Sequence, residues 1–89
     1  MRQTIARMVE KTTTKTLLPG TFYRGASAES GPFVVEGDPV RAGDTLGLIE
    51  IMKTFYEVKA EIGGVVERFL VENGEAVDVG QDVAEIRTD

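Results

Sequence analysis

Two stretches of the chain repeat one pattern, and this repeat decides the fold. Residues 37–49 read GDPVRAGDTLGLI and residues 74–86 read GEAVDVGQDVAEI, at an offset of 37 positions. Both copies follow Gly-x-x-Val-x-x-Gly-x-x-aliphatic-x-x-Ile. Extended back to residues 33 and 70, they share five identities in seventeen positions, where average composition would give about one. The repeat therefore predicts two related structural halves.

Upstream of these copies the offset changes. Residues 18–21, LPGT, lie best over residues 62–65, IGGV, at an offset of 44. The first half therefore has seven extra residues, which fall within the polar, small-residue stretch 24–32, RGASAESGP.

Short β-rich runs alternate with glycine-containing turn signals along the chain. The predicted strands cover residues 17–18, 21–23, 33–35, 45–49, 55–59, 65–71 and 83–86. Each half is too small to bury its apolar face alone. We therefore predict an all-β fold, a flattened barrel or sandwich of two halves related by a pseudo-twofold axis.

Side-chain types along these runs indicate which residues fill the core and which cap turns. Apolar side chains at strand or repeat positions are predicted core residues, namely Phe22, Phe33, Val40, Leu46, Phe69 and Val77. Four aspartates come singly at predicted turns, where side-chain capping is common and paired-carboxylate catalysis is not: Asp38, Asp44, Asp78 and Asp82.

The composition excludes several classes of function. The chain has 89 residues, no cysteine, no histidine and a net charge of −5. It therefore lacks the thiolate, the commonest general base and the usual metal ligands, and we predict neither a catalytic residue nor a metal site. Scattered Lys and Arg residues and a pI near 4.7 argue against binding to nucleic acid or to an anionic membrane. An autonomous enzyme is disfavoured, and a cytoplasmic location is expected because no leader or membrane-spanning stretch is seen.

Residues 1–16 differ in character from the rest. Met1, Ile5, Met8 and Val9 have helix-like spacing, and a threonine-rich polar stretch follows them. We predict that residues 1–16 form an N-terminal extension with a frayed end, and that residues 17–89 form the domain. A docking segment for a partner subunit is the alternative for the extension.

The connection between the halves is the segment 50–55, EIMKTF, and pseudo-symmetry places it at one end of the domain with the termini near the other. Around it stand GDTL at 43–46, IEIMK at 49–53, GGVV at 63–66 and ENG at 72–74. Over residues 17–87 this pattern resembles the biotinyl domains of biotin-dependent carboxylases. PGTFYR at 19–24 is similar to the biotin carboxyl carriers of acetyl-CoA carboxylase in particular.

The resemblance implies a hammerhead fold of the biotinyl/lipoyl type, with two four-stranded antiparallel sheets related by the pseudo-twofold axis. It also implies a site at Lys53. In that family, biotin is attached covalently to the lysine of a Glu-Ala-Met-Lys-Met motif. Glu50, Met52 and Lys53 match this motif, whereas Ile51 and Thr54 replace its alanine and second methionine. The implied cofactor is therefore biotin on Lys53.

The partners and activity also come from the resemblance. It implies a biotin protein ligase that modifies the lysine, and a biotin carboxylase subunit and a carboxyltransferase subunit that load and unload a carboxyl group. The domain itself would be a non-catalytic carrier in an acetyl-CoA carboxylase-like complex of fatty acid synthesis.

The seven-residue insertion resembles the thumb of acetyl-CoA carboxylase carriers, a loop thought to lie against the biotin ring. The match is in place and length and covers Gly25, Ala26, Ser27, Ala28, Glu29, Ser30 and Gly31. These residues lack the family's Thr-Pro-Ser-Pro character. A hairpin extension without a role is the alternative interpretation.

Two other functions stay open from the sequence. A lipoyl carrier domain of a 2-oxo acid dehydrogenase-type complex shares the two-half fold and the hairpin lysine, but usually flanks the lysine with Asp and Ala. An unmodified β-sandwich interaction module descended from the carriers is the other.

Overall fold

The computed structural model describes residues 10–27 and 29–88, which form eight β-strands joined by turns. These are β1 (Glu10–Lys15), β2 (Gly20–Tyr23), β3 (Pro39–Val40), β4 (Thr45–Ile51), β5 (Thr54–Lys59), β6 (Gly64–Phe69), β7 (Ala76–Val77) and β8 (Asp82–Thr88). They make two four-stranded antiparallel sheets. We call the sheet of order β5-β4-β2-β7 the hairpin sheet and the sheet of order β1-β8-β6-β3 the terminal sheet.

The two sheets are equivalent strand by strand. The repeat offsets map β4 onto β8 and β2 onto β6, and the sheet orders then match throughout. β4 and β8 have the same sequence of buried and partly buried positions. β3 belongs to the first half but lies in the terminal sheet, and β7 makes the reverse exchange. The halves therefore interlock, and the predicted all-β, pseudo-twofold fold is confirmed.

Both sheets contribute their inward side chains to one core. The buried apolar residues are Phe22, Val40, Leu46, Ile49, Val58, Ala60, Val66, Val71, Val77, Val83, Ala84 and Ile86. Four of the six predicted core residues are in this set, and Phe69 packs against it while partly buried. Phe33 was predicted as core but is 42% exposed. Residues 33–35 are irregular rather than a strand, with a bend at Phe33, and Val34 packs against the core instead.

Turns at equivalent places use equivalent hydrogen bonds. The Val35 N–H donates to Asp38 Oδ2 at 3.0 Å, and the Arg41 N–H donates to Asp44 Oδ2 at 2.8 Å. In the second half the corresponding acceptors are Glu75 Oε1 and Gln81 Oε1. The capping prediction is therefore confirmed for Asp38 and Asp44. Asp82 lies instead in β8, where it accepts a hydrogen bond from Thr13 and pairs with Lys15.

The N-terminal stretch differs from its prediction as a frayed extension. Residues 10–15 form β1, which pairs with β8 along its whole length. Thr14 and Thr16 are only 2% and 1% exposed and occupy the positions that Val58 and Ala60 hold in the other half. A threonine has the β-branched shape of valine and suits a strand, although its hydroxyl hides this from a hydrophobicity pattern. The apolar residues of stretch 1–9 lie outside the described residues.

Over residues 10–27 and 29–88, the structure has no helix with the length and apolar character needed to cross a membrane. The same residues contain no group of three or more acidic side chains placed to hold a metal ion.

Candidate functional site

The hairpin between β4 and β5 ends in a two-residue turn made of Met52 and Lys53. Ile51 and Thr54 form the last cross-strand pair before it. Both turn residues have positive φ, 50° for Met52 and 66° for Lys53. Two consecutive left-handed residues are typical of a type I′ turn, whose twist matches that of the flanking strands. Each costs a residue other than glycine about 1–2 kcal/mol, so the strand pairing holds a strained turn in place.

This turn projects its side chains into solvent. Met52 is 92% exposed and Lys53 is also exposed, whereas Ile51 packs against the core. The pseudo-twofold equivalent of the Ile51–Thr54 pair is the pair formed by Glu10 and Thr88. Within residues 10–27 and 29–88, the lysine-bearing turn therefore belongs to the hairpin sheet.

A cleft of about 510 Å³ lies beside this hairpin. It is bounded by the outer surface of the hairpin sheet and by the loop Gly25–Gly31, which we call the thumb after the loop it resembles. Tyr23, Glu50 and Phe55 line it from the sheet, and Arg24, Pro32 and Asn73 also line it. The thumb contributes Gly25, Ala26, Ser27 and Gly31. We call this space the thumb cleft. Its volume is in the range of small-molecule sites.

Tyr23 and Glu50 give the thumb cleft a polar floor. A hydrogen bond from the Tyr23 hydroxyl to Glu50 raises the pKa of Tyr23 above its ordinary value, and burial and the Glu50 charge act in the same direction. The phenol therefore stays protonated at neutral pH. The Phe55 ring lies beside it, with 6.4 Å between ring centroids. The cleft thus combines hydrogen-bonding groups with an aromatic wall.

Arg24 anchors the neck of the thumb to the second half of the domain. Its backbone N–H donates to Asn73 Oδ1 at 2.8 Å, and its carbonyl oxygen accepts from the Phe33 N–H at 2.8 Å. Its guanidinium lies 4.1 Å from the centroid of the Phe69 ring and forms a 3.0 Å ion pair with Glu36. Hydrogen bonds from the backbone N–H of Glu36 and from the Arg24 side chain lower the pKa of the Glu36 carboxyl, and the Arg24 charge acts in the same direction. This ion pair therefore persists at neutral pH.

The thumb itself is closed by glycines and serines rather than by prolines. A Cβ on Gly25 would lie 1.9 Å from the Gly31 carbonyl oxygen, so the loop's two arms approach too closely for any other residue at position 25. The Ser27 and Ser30 hydroxyls lie 3.0 Å apart, and each accepts a bond from the other residue's backbone N–H at 3.1 Å. Reciprocal serine bonds thus supply local order in a loop that has no proline between Gly25 and Gly31.

The structure does not bring all the predicted site residues together. Glu50 and four of the thumb residues line the thumb cleft. Met52, Lys53 and Thr54 lie at the hairpin tip, and Ile51 points inward. Glu29 and Ser30 belong to the thumb but do not line the cleft, and Ala28 lies outside the described residues.

Sequence reasoning missed five residues that line the cleft, Tyr23, Phe55, Asn73, Arg24 and Pro32. Strand alternation offered a signal for the first two, since outward positions on three paired strands share one face with Glu50. No local signal marked Asn73, which reaches the cleft from the other half.

Comparison with known proteins places the chain in a family. A family model described as "Biotin-requiring enzyme" matches residues 15–86. The chain belongs to this family. The family and fold predicted from the sequence are therefore confirmed.

Members and neighbours of the biotin-requiring family agree with the match. The biotin carboxyl carrier protein of acetyl-CoA carboxylase from Pseudomonas aeruginosa is 47% identical over 62 residues, which cover 70% of this chain and 40% of that protein. The protein of the same name from Nostoc is 41% identical over 70 residues, or 79% of this chain and 38% of that protein. The chain thus spans about two-fifths of the length of these curated relatives.

Solved structures show the same fold inside larger carboxylases. Kluyveromyces lactis urea carboxylase superposes with a TM-score of 0.70 and 30% identity, covering 97% of this chain and 7% of that one. A single-chain, multi-domain long-chain acyl-CoA carboxylase gives a TM-score of 0.72 at 22% identity, covering 97% of this chain and 8% of that one, and shows the fold alone.

Proposed function

We propose that the chain is a biotin carboxyl carrier whose Lys53 is the biotinylated residue. The observation that carries this proposal is the position of Lys53 at the tip of the strained two-residue turn, exposed and held by paired strands. The names of the curated relatives support the cofactor and the carrier role. Because the chain itself only displays a lysine, the catalytic groups would belong to its partners.

The modification is an amide bond formed at the Lys53 amine. In its neutral form, Nζ attacks the acyl carbon of a biotinyl-adenylate made from biotin and ATP by a ligase. The C–N bond forms, the C–O bond to the phosphate breaks, and AMP leaves with the electron pair while nitrogen loses a proton. The ligase must therefore orient the amine and take up the proton that it loses.

The residues near the turn suit the attached group. A bound biotin supplies a ureido nitrogen that accepts and releases a carboxyl group. The thumb cleft offers the Tyr23 hydroxyl, the Ser27 hydroxyl and the Phe55 ring to a polar-edged bicycle. We propose that the thumb covers the ring between transfers, with Tyr23, Glu50 and Phe55 as the opposite wall.

The remaining parts of the proposal concern partners and location. A biotin carboxylase and a carboxyltransferase would load and unload the arm, and acetyl-CoA is the proposed acceptor, as in the enzyme named for the curated relatives. Tethering makes each transfer effectively intramolecular, so weak contacts with either enzyme suffice. A cytoplasmic location belongs to the same proposal.

The test of the proposal is acylation followed by intact mass. The chain is incubated with a biotin protein ligase or a lipoate ligase, and Lys53→Arg and Lys59→Arg are compared with wild type. We expect a single biotin increment in wild type and in the Lys59→Arg control, and none in Lys53→Arg. A lipoyl increment would overturn the biotin assignment, and a biotin increment on Lys53→Arg would overturn the site.

The thumb has a separate test. Deletion of Gly25–Gly31 is expected to leave the biotin increment intact, because Lys53 lies outside the thumb, and to change the rates of carboxylation and transcarboxylation. Unchanged rates for both steps would show that the loop is a hairpin extension without a role. Ala substitution at Ser27 and Ser30 is the milder variant, since it removes the reciprocal bonds and keeps the loop length.

A further inference from the structure

The outer surfaces of the two sheets provide an internal comparison, because the same backbone positions carry different chemistry. On the hairpin sheet, the outward residues of β4 and β5 are Leu48, Glu50, Phe55 and Glu57, which we call the hairpin face. Leu48 pairs with Glu57, and Glu50 pairs with Phe55. The equivalent positions on the terminal sheet are Glu85, Arg87, Lys11 and Thr13, the terminal face. Their pairing is the same, Glu85 with Thr13 and Arg87 with Lys11.

The terminal face is a network of ion pairs. Arg87 Nε lies 2.9 Å from Glu67 Oε1, and Lys11 Nζ lies 4.0 Å from Glu67 Oε2. Arg68 Nε lies 3.3 Å from Glu85 Oε1. Charged groups on this surface therefore have partners within their own sheet.

The hairpin face has the opposite character. Phe55 is 53% exposed and Leu48 is half-buried, so apolar carbon reaches solvent on two neighbouring strands. Within the described residues, the ion pair on this face is the 3.5 Å contact of Glu57 with Lys59 on a single strand. Glu50 contributes a second carboxylate beside Tyr23.

Inner packing does not account for this difference. β4 and β8 have the same sequence of buried and partly buried positions, and Ile49 and Ile86 are both fully buried. The same strand arrangement has a glutamate at the position of Leu48 and a lysine at the position of Phe55, so it does not itself demand apolar residues there. An exposed apolar strip that the fold does not require is available for binding another molecule.

We propose that the hairpin face is the docking surface for the enzyme that acylates Lys53, an inference that rests on the proposed function. The face leads directly to the turn, since Phe55 follows Lys53 by two residues. During acylation the amine itself must reach the acyl carbon, so the protein surfaces around the turn must meet. Enzymes that act after acylation receive a group at the end of a long arm and need no such close contact.

Charge also favours this partner. A site that holds an acyl-adenylate must stabilise its phosphate with cationic groups. Glu50 and Glu57 present carboxylates on the strands that lead to Lys53, which complement a cationic rim around such a site. The partner surface is therefore expected to be apolar at its centre and basic at its edge.

The experiment exchanges residues between the two faces. Leu48→Glu and Phe55→Lys give the hairpin face the residues of its equivalent, and Glu85→Leu and Lys11→Phe are the reciprocal controls on the terminal face. The full chain is acylated by a biotin protein ligase with biotin and ATP, and initial rates are measured against carrier concentration. Each hairpin-face variant is expected to raise KM for the carrier about tenfold, as for a central interface residue, with kcat little changed. The terminal-face controls are expected to keep the wild-type KM.

Further arms separate docking from folding and from the proposed function. Thermal unfolding is measured for every variant, and Glu57→Lys tests the face by charge reversal if an apolar exchange weakens the fold. Rising salt is expected to increase the wild-type KM more steeply than that of Glu57→Lys. Wild-type KM in folded Leu48→Glu, Phe55→Lys and Glu57→Lys would overturn the docking proposal, as would equal losses on both faces. Wild-type chain that gains no biotin at Lys53 would instead overturn the proposed function.

Discussion

The two halves of this domain share a backbone and a core but differ at their surfaces and ends. Leu46 and Val83 are both completely buried, and Gly20 and Gly64 each bring a strand against the carbonyl of the residue after a core isoleucine. The hairpin half ends in a lysine-bearing turn, whereas the last described pair at the equivalent place in the terminal half is Glu10 with Thr88. Duplication therefore supplies a stable sandwich, and function resides where the copies have diverged.

One divergence lies inside the core and involves matched pairs of residues. In the hairpin sheet, Phe22 is fully buried and Gly47 lies beside it. The equivalent residues in the terminal sheet are Val66 and Ala84, both buried. A large ring beside a glycine and a small side chain beside an alanine fill similar space. The two positions have therefore changed together.

The largest expected effect comes from Gly47→Ala, which breaks this compensation. An added Cβ would lie 2.5 Å from Phe22 Cε1 and 2.7 Å from the Tyr23 carbonyl oxygen. We expect the free energy of unfolding to fall by about 1–3 kcal/mol, as for other overpacked cores. Urea unfolding of wild type and variant measures this.

A double-mutant cycle with Phe22→Val sharpens the comparison. Phe22→Val with Gly47→Ala gives the hairpin half the core pair of the terminal half. The ring clash is then removed, so the double variant should lose less unfolding free energy than the sum of the two single variants, by about 1 kcal/mol or more. Strict additivity would show that Gly47 is required by the backbone contact with Tyr23 rather than by the ring.

The repeat predicted the sandwich and the hairpin because both follow from local patterns. Glycines and core aliphatics recur at fixed offsets, so their places in the fold could be inferred from one half to the other. Lys53 does not recur, and its place followed from the junction between the two copies. β1 was missed because its buried residue is Thr14 rather than an aliphatic residue, and the buried residue just beyond the strand is Thr16. β3 and β7 have two residues each, too few for a periodic signal.

The site was only partly predictable for a related reason. The turn and the thumb are continuous segments, and the sequence identified both. The thumb cleft also needs Asn73 from the other half and the outward sides of three strands. Such a cleft depends on tertiary packing, which a one-dimensional pattern does not record. Phe33 failed as a core residue because the insertion before it turns the chain and leaves that ring outward.

A moderate effect is expected at the turn that distinguishes the halves. Met52→Asn keeps the lysine and replaces a residue that is strained at φ 50° with one that tolerates the left-handed region. We expect a gain of about 0.5–1 kcal/mol in unfolding free energy. Met52→Ala is the matched control, since the side chain is 92% exposed and alanine relieves no strain. An equal gain in both variants would assign the effect to the methionine side chain rather than to the turn.

The smallest expected effect concerns the outer edge of the terminal sheet, where Asp82 pairs with Lys15 and the hairpin half has Thr45 opposite Lys59. Hydrogen bonds from Lys15 and Thr13 lower the pKa of Asp82 below its ordinary 3.8. A carboxyl with a lowered folded-state pKa adds stability that is complete above pH 3.8 and is lost as the pH falls through the folded value.

Asp82→Thr should therefore remove a small stabilisation at neutral pH and almost none in strong acid. The quantity to measure is how the difference in melting temperature between wild type and variant changes with pH, because threonine's higher β-propensity adds an amount that does not depend on pH. If the difference in melting temperature stays constant from neutral pH to well below pH 3.8, this exposed ion pair does not stabilise the terminal edge relative to the hairpin edge.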